Sequence, residues 1–188
     1  MTDQILCTAF AGAERLASGP LPDVAVVARS ALAADPTLPV LVFNDATGAV
    51  IDLDLRGSEA EIRARLEPAA EIDPPSRGRG RPKLGVVPRE VTLLPRHWDW
   101  LAAQPGGASQ ALRRLIDQAR RADEGRTEAR LRQEAAYRFL CVLAGNLPGF
   151  EEAVRALFAN DRSRFTEQTA AWPLDVCNHA QGLAWGAA

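Results

Sequence analysis

Along the first 70 residues, short apolar runs alternate with turn chemistry at the spacing of a small α+β unit. QILCTAFAG (4–12) is dense enough in apolar and β-forming residues for a strand. In LPDVAVVARSALAAD (21–35), Val24, Val27, Ala28, Ala31 and Leu32 recur at helical spacing behind Asp23, which has the chemistry of an N-cap. PVLVFNDATGAVIDLDL (39–55) predicts two strands around a tight turn made by Asp45, Thr47 and Gly48. Within it Ile51, Leu53 and Leu55 alternate with Asp52, Asp54 and Arg56. GSEAEIRARL (57–66) closes the unit with a helix, its Ser58 and Glu61 at capping-box spacing. The predicted order is βαββα.

The pattern then breaks. Residues 67–88 hold five prolines and three glycines, a composition that denies regular structure and predicts a linker. From 89 the sequence REVTLLPRHWDWLAAQPGGASQALRRLIDQARRA predicts a strand over 89–94, then a helix opened by Pro95. Pro105, Gly106 and Gly107 end that helix, and Ser109 is placed to cap a second one. On the second helix Leu112, Leu115, Ile116 and Ala119 form one apolar stripe, with Arg113, Arg114, Arg120 and Arg121 mostly off it. A strand and two short helices cannot bury a core by themselves, so this segment needs a partner. The remainder predicts helices over 127–145, 149–160, 161–172 and 173–185, the first with Leu131, Ala135, Phe139, Val142 and Leu143 on one face. The whole is a mostly helical α+β chain in four segments: a small domain (1–70), a basic linker (71–88), a strand–helix–helix segment (89–126) and a C-terminal helical region (127–188).

Charge changes this picture in one place. The net charge is −2, so no overall field draws the molecule to a polyanion. Residues 1–70 carry −5, residues 71–96 carry +3, and the later segments stay near neutral, which sets a basic patch between acidic flanks. Three distant cysteines, Cys7, Cys141 and Cys177, have no metal-ligand spacing and fit a reducing compartment. No signal-like start and no apolar run of membrane-spanning length appear, so a cytoplasmic protein is expected.

The patch has specific chemistry. Arg79-Gly80-Arg81-Pro82, flanked by Arg77 and Lys83, resembles the core of an AT-hook. Glycine lets the backbone sink into a narrow minor groove, and arginines follow its floor where A·T tracts concentrate negative potential. Proline keeps the chain extended while the outer charges meet phosphates. The segment over 89–122 resembles the ribbon-helix-helix family of bacterial DNA-binding proteins. In that family two chains pair their strands into a ribbon that enters the major groove, with the helices as dimer core. The resemblance implies a homodimer with Leu112, Leu115 and Ile116 in its core. Here Arg89, Val91 and Leu93 occupy one strand face and Glu90, Thr92 and Leu94 the other. Neither face is the polar row that base edges require, and Glu90 would repel phosphate. Taken over nearly its whole length, the chain is similar to an uncharacterised bacterial family, domain-of-unknown-function family 2239, which implies no activity.

Enzymatic chemistry finds little to stand on. His97 and His179 are the two histidines; His97 lies beside Trp98 and Trp100 on a short helix, and no further metal ligands accompany it. Cys141 has the setting of a small core residue. RGRGRP lacks the Lys-Ser/Thr that completes a phosphate-binding loop. The expectation is therefore a DNA-binding protein, not an enzyme, without metal or cofactor, acting as a dimeric transcriptional regulator or nucleoid-associated factor on A·T-rich DNA. Arg77, Arg79, Gly80, Arg81, Pro82 and Lys83 would hold the groove, with Arg89, Arg96, Arg113 and Arg114 on phosphates. The competing expectation is a protein-interaction adaptor whose basic linker is only a tether.

Overall fold

The computed structural model of the protein describes residues 5–67 and 89–186. The described elements run β1 (Leu6–Ala11), β2 (Glu14–Pro20), α1 (Leu21–Ala34), β3 (Val40–Asn44), β4 (Val50–Ile51) and α2 (Glu59–Leu66). From residue 95 onward come α3 (Pro95–Ala102), α4 (Gly107–Asp123), α5 (Arg126–Leu143), α6 (Phe150–Phe158), α7 (Arg162–Gln168) and α8 (Leu174–Trp185). The chain divides into two compact units, Met1–Ala69 with Arg126–Ala188, and Ala70–Gly125. The protein is thus a mostly helical α+β chain, and its first and last parts share one unit.

In that unit the four strands form an antiparallel sheet in the order β2-β1-β3-β4. Both faces of β1 are covered. Cys7 and Ala9 pack with Val24 and Ala28 of α1, with Val42 of β3, and with Leu53 and Leu55 beyond β4. Thr8 and Phe10, one residue out of phase, point to the opposite face, as the two-residue period of a strand requires. There Phe10 and Phe43 enter a larger core made with α5, α6, α7 and α8. Three layers result, with α1 and α2 on one side of the sheet and the C-terminal helices on the other.

Local chemistry accounts for most element boundaries. The capping box of α2 forms as its sequence predicts: Glu61 N donates to Ser58 Oγ (3.3 Å) and Ser58 N donates to Glu61 Oε2 (2.7 Å). Asp161 caps α7 by accepting from Arg164 N at 2.9 Å. Four expectations need correction. The first strand is half of a hairpin, because Gly12 takes a left-handed φ of +56° and returns the chain through β2, giving ββαββα. Helix α1 starts two residues before Asp23, on the Pro20-Leu21-Pro22 stretch, and Asp23 instead pairs with Arg63. Strand β4 stops at Ile51, although Leu53 and Leu55 still turn inward beyond it. On α5 the buried face is Ala135, Ala136, Phe139 and Leu140, while Leu131, Cys141 and Val142 are exposed.

The β3–β4 turn is where the sheet meets α5. Gly48 has φ +67°, and a Cβ there would lie 1.8 Å from the Ala135 carbonyl oxygen. Arg138 Nη1 donates to the Thr47 carbonyl at 3.0 Å and ties the same turn to the same helix. Gly12 has a similar φ but open space around it. Gly12→Ala should therefore cost about 1 kcal/mol for the left-handed backbone, and Gly48→Ala at least about 3 kcal/mol because helix and turn must also separate. Urea denaturation of the two variants checks the ordering; equal costs would show that the turn does not bear on α5.

Candidate functional site

Two places carry chemistry, one in each unit. In the unit of residues 70–125, α3 opens with Pro95 at its first turn, as predicted. Helix α4 opens on Gly106, whose φ of +82° only glycine takes without strain, and Ser109 lies inside the first turn without capping it. Residues 89–94 form no strand, in contrast to the sequence expectation. The backbone of residues 89–93 makes no hydrogen bond to another described residue. The physical reason is that a strand needs a neighbour, and the described part of this chain supplies none.

Burial in this segment is sparse. Leu101 and Ala111 are its buried residues among those described. Leu112 is half-buried, whereas Leu115, Ile116 (56% exposed), Leu94, Val91, Trp98 and Trp100 face outward. The residues expected as a dimer core thus lie on one uncovered stripe of α4. Arg113 with Arg120, and Arg114 with Arg121, follow at seven-residue spacing off the stripe, the second pair on the opposite face of the helix. Arg89, Arg96, Arg113 and Arg114 are exposed and have no ion pair among the described residues. Arg77, Arg79, Gly80, Arg81, Pro82 and Lys83 lie outside the described residues.

The other place was not legible as a site. Asn44 makes the β3–β4 turn, its side-chain oxygen accepting from Ala46 N (2.9 Å) and Thr47 N (3.1 Å). Asp45 is thereby released from turn duty, and its own N–H donates to the Leu6 carbonyl at 3.0 Å. Its carboxylate turns toward the sheet face on which Thr8 lies. Thr8 Oγ1 donates to Asp45 Oδ2 at 3.2 Å and shares a 3.0 Å hydrogen bond with Ser18 Oγ of β2. His179 of α8 arrives from the helical layer, wedged edge-on against Phe139 (ring centroids 4.6 Å) and Phe10 (5.3 Å). Its Nε2 stops 3.7 Å from Asp45 Oδ1, and these two buried atoms have no hydrogen-bond partner.

Electrostatics follow from burial. Burial, and secondarily the Arg15 guanidinium, hold the His179 imidazole down at about 4, so it is neutral at pH 7. Burial pushes the Asp45 carboxyl up, against the Thr8 hydrogen bond that pulls it down. The Cys7 thiol is pushed up to about 11, by burial and then by Asp45, which makes it a poor nucleophile. Around the pair opens a cleft of about 550 Å³ that also takes in Arg132 and Asn178. No group of three or more His, Cys, Asp or Glu side chains stands together as a metal site among the described residues. Nor is any helix among them long and apolar enough to cross a membrane.

A family model described as an uncharacterized protein conserved in bacteria (DUF2239) matches residues 6–184. The chain belongs to that family. The match takes in both units of this DUF2239 protein, including helices α3 and α4 and the cleft. No curated protein and no solved structure matches it.

A histidine depressed by burial has a definite acid signature. Between the unfolded value near 6.5 and the folded value of about 4 the unfolded chain binds more protons, so stability is present above this window and is lost as pH falls through it. The His179 contribution amounts to about 3 kcal/mol. Asp45, raised in the fold, has the opposite sign and offsets part of the loss toward the acid end. Urea unfolding at pH 7 and pH 4.5 should show wild type losing roughly 2 kcal/mol more than His179→Gln. Parallel losses in the two proteins would mean that His179 is solvated.

Proposed function

We propose that this DUF2239 protein is a dimeric DNA-binding protein, a transcriptional regulator or nucleoid-associated factor that uses the basic stretch 76–84 as a minor-groove hook. The observation that carries this reading is the uncovered stripe of α4, with Leu115 and Ile116 exposed and the arginines of the helix set off it. With two buried residues among those described, this helix pair has too little core to stand alone, so the stripe calls for a cover. A second copy of the same segment fits best. Residues 91–94 (Val-Thr-Leu-Leu) suit a strand by composition, have no strand neighbour in the described chain, and could pair with themselves antiparallel across a two-fold axis. The ribbon-helix-helix likeness supports the same arrangement.

Charge supports a polyanionic partner for the outward side. The unit of residues 70–125 holds ten basic and seven acidic side chains, a net +3 in a chain of net −2. A single hook neutralises few phosphates and binds weakly. Two hooks on one dimer bind at the effective concentration their tethers set, which raises avidity by roughly 10²–10⁴. Arg89, Arg96, Arg113 and Arg114 add phosphate contacts without reading bases. In the adaptor reading the α4 stripe takes another protein and the linker meets no nucleic acid.

A mobility shift on A·T-rich and G·C-rich duplexes across a salt series separates the two readings. Wild type should prefer the A·T duplex, and Arg79→Ala with Arg81→Ala should abolish the preference. The double variant should also reduce the slope of log affinity against log salt by roughly 2, about 0.9 for each phosphate that is no longer neutralised. Wild type that ignores both duplexes at low salt leaves only the adaptor.

Dimerisation is tested separately by Leu115→Asp, which places a charge in the shared stripe. Light scattering should report a dimer for wild type and a monomer for the variant. The variant's DNA affinity should drop by about 10² or more, nearly as far as on loss of the hook arginines. A monomeric variant that binds DNA as tightly as wild type would remove avidity from the mechanism.

A further inference from the structure

The cleft between the sheet and α8 contains an acid without a counter-ion. Asp45 accepts from Thr8 through Oδ2, while Oδ1 is buried and has no donor. His179 is the one basic side chain within ion-pair reach of it among the described residues, at 3.7 Å. A neutral imidazole cannot balance a carboxylate, and 3.7 Å is too long for a hydrogen bond between them. The His179 side chain is 9% exposed, so water does not solvate Nε2 from the outside. Two buried polar atoms left without partners side by side are costly, by about 1–3 kcal/mol each. Among the described residues these are the two buried side-chain polar atoms without a partner, and both belong to residues that line the cleft, which points to a ligand there that satisfies them.

We propose that the cleft is a binding site for the protonated amino end of a small organic molecule. A primary ammonium brings the positive charge that Asp45 lacks and three donors. A small rotation of the Asp45 and His179 side chains, which now close over these atoms, lets one donor reach Asp45 Oδ1 and a second reach His179 Nε2 in the tautomer that carries its hydrogen on Nδ1. The Ser18 hydroxyl, already shared with Thr8, stands next along the chain of polar groups as a third acceptor. The tail of the molecule meets Leu6, Ala46, Ala135 and Leu183, which line the same cleft. At about 550 Å³ the space far exceeds one bridging water and lies within the range of small-molecule sites. Arg132, also at the cleft, is ion-paired with Glu128, which leaves the Arg15 guanidinium, whose charge reaches His179, as the cation that an incoming ammonium must outweigh through Asp45.

The geometry also supplies a way to close the site without touching the acid. Gly182 of α8 lines the cleft, has an ordinary backbone, and a Cβ there would meet nothing within 4 Å. Gly182→Leu therefore fills the cleft from a position where a side chain is accommodated, and it replaces a poor helix former inside a helix.

The test uses benzylamine against its neutral isostere benzyl alcohol, titrated at pH 7 into the full chain and followed by the amide signals of residues 44–47 and the imidazole signals of His179. Benzylamine should shift these signals saturably with a dissociation constant in roughly the millimolar range, and benzyl alcohol should bind at least about tenfold more weakly. Asp45→Asn, which keeps the acceptor for Thr8 but removes the charge, should lose at least about tenfold of the amine affinity. Gly182→Leu should fold at least as stably as wild type and bind neither compound; it carries the test alone should Asp45→Asn fail to fold. Equal binding of amine and alcohol, undiminished amine binding in either variant, or no saturable shift in wild type would overturn the site and leave the pair as a water-bridged staple.

Discussion

The contact on which this fold depends is the meeting of Phe10 and Phe43 with Phe139. Their rings stand 5.2 and 4.9 Å from Phe139, which packs across the face of the paired strands β1 and β3 from a helix about a hundred residues later. Closing a chain over the 56 residues between the two halves of this unit costs about 4 kcal/mol beyond a constant. Full burial of three phenylalanine side chains contributes roughly 5–9 kcal/mol, enough to offset that term. Everything else on this face depends on it. Without Phe139 in place the sheet would expose Phe10 and Phe43, and α8 would have no aromatic wall against which to set His179.

The same contact explains why Asp45 and His179 meet. Phe10 enforces the inward phase of β1, and strand periodicity then brings Thr8 to the same face. Docking of α5 against Gly48 holds the β3–β4 turn close to the helical layer, which leaves the Asp45 carboxylate under α8. The polar pair is thus surrounded by apolar packing instead of water, and burial shifts both groups toward their neutral forms. A polar cluster positioned by rigid elements on three sides is a site geometry that a loop could not maintain.

Local chemistry is readable where the signal is local. The capping box at Ser58 and Glu61, the helix opened by Pro95 and the inward alternation of Ile51, Leu53 and Leu55 each depend on neighbours within four residues. What the sequence hides depends on distance along the chain. Strand β2 is low in large apolar residues because its pairing with β1, not its own burial, makes it a strand. Periodicity alone phases the α5 stripe on Leu131 and Val142, yet the buried face follows Ala135, Ala136 and Leu140, because small residues let the turn at Gly48 approach. Asp45 reads as turn chemistry because NDATG contains two turn-forming acids or amides, and only the fold shows that Asn44 alone makes the turn. His179 carries no sequence signal at all, since its partner lies 134 positions away.

The two candidate sites differ in what each requires of the other. The cleft takes Thr8 and Asp45 from the first part of the chain and His179 from the last, so a bound molecule joins the halves of one unit and stabilises their closure. At a ligand concentration 100 times the dissociation constant that stabilisation is about 2.7 kcal/mol. None of it reaches residues 70–125 by this route, because binding shifts a second equilibrium only when the ligand distinguishes its two states. An effector role for the cleft would therefore demand that the chain with residues 70–125 on DNA hold Asp45 and His179 differently from the chain in solution. The rigidity that makes the cleft a site works against such a difference, since α5, α8 and the sheet are locked by the same three phenylalanines. On physical grounds, the proposed amine site and the proposed DNA contact would act as two separate capacities of one chain, coupled only as far as the core can yield.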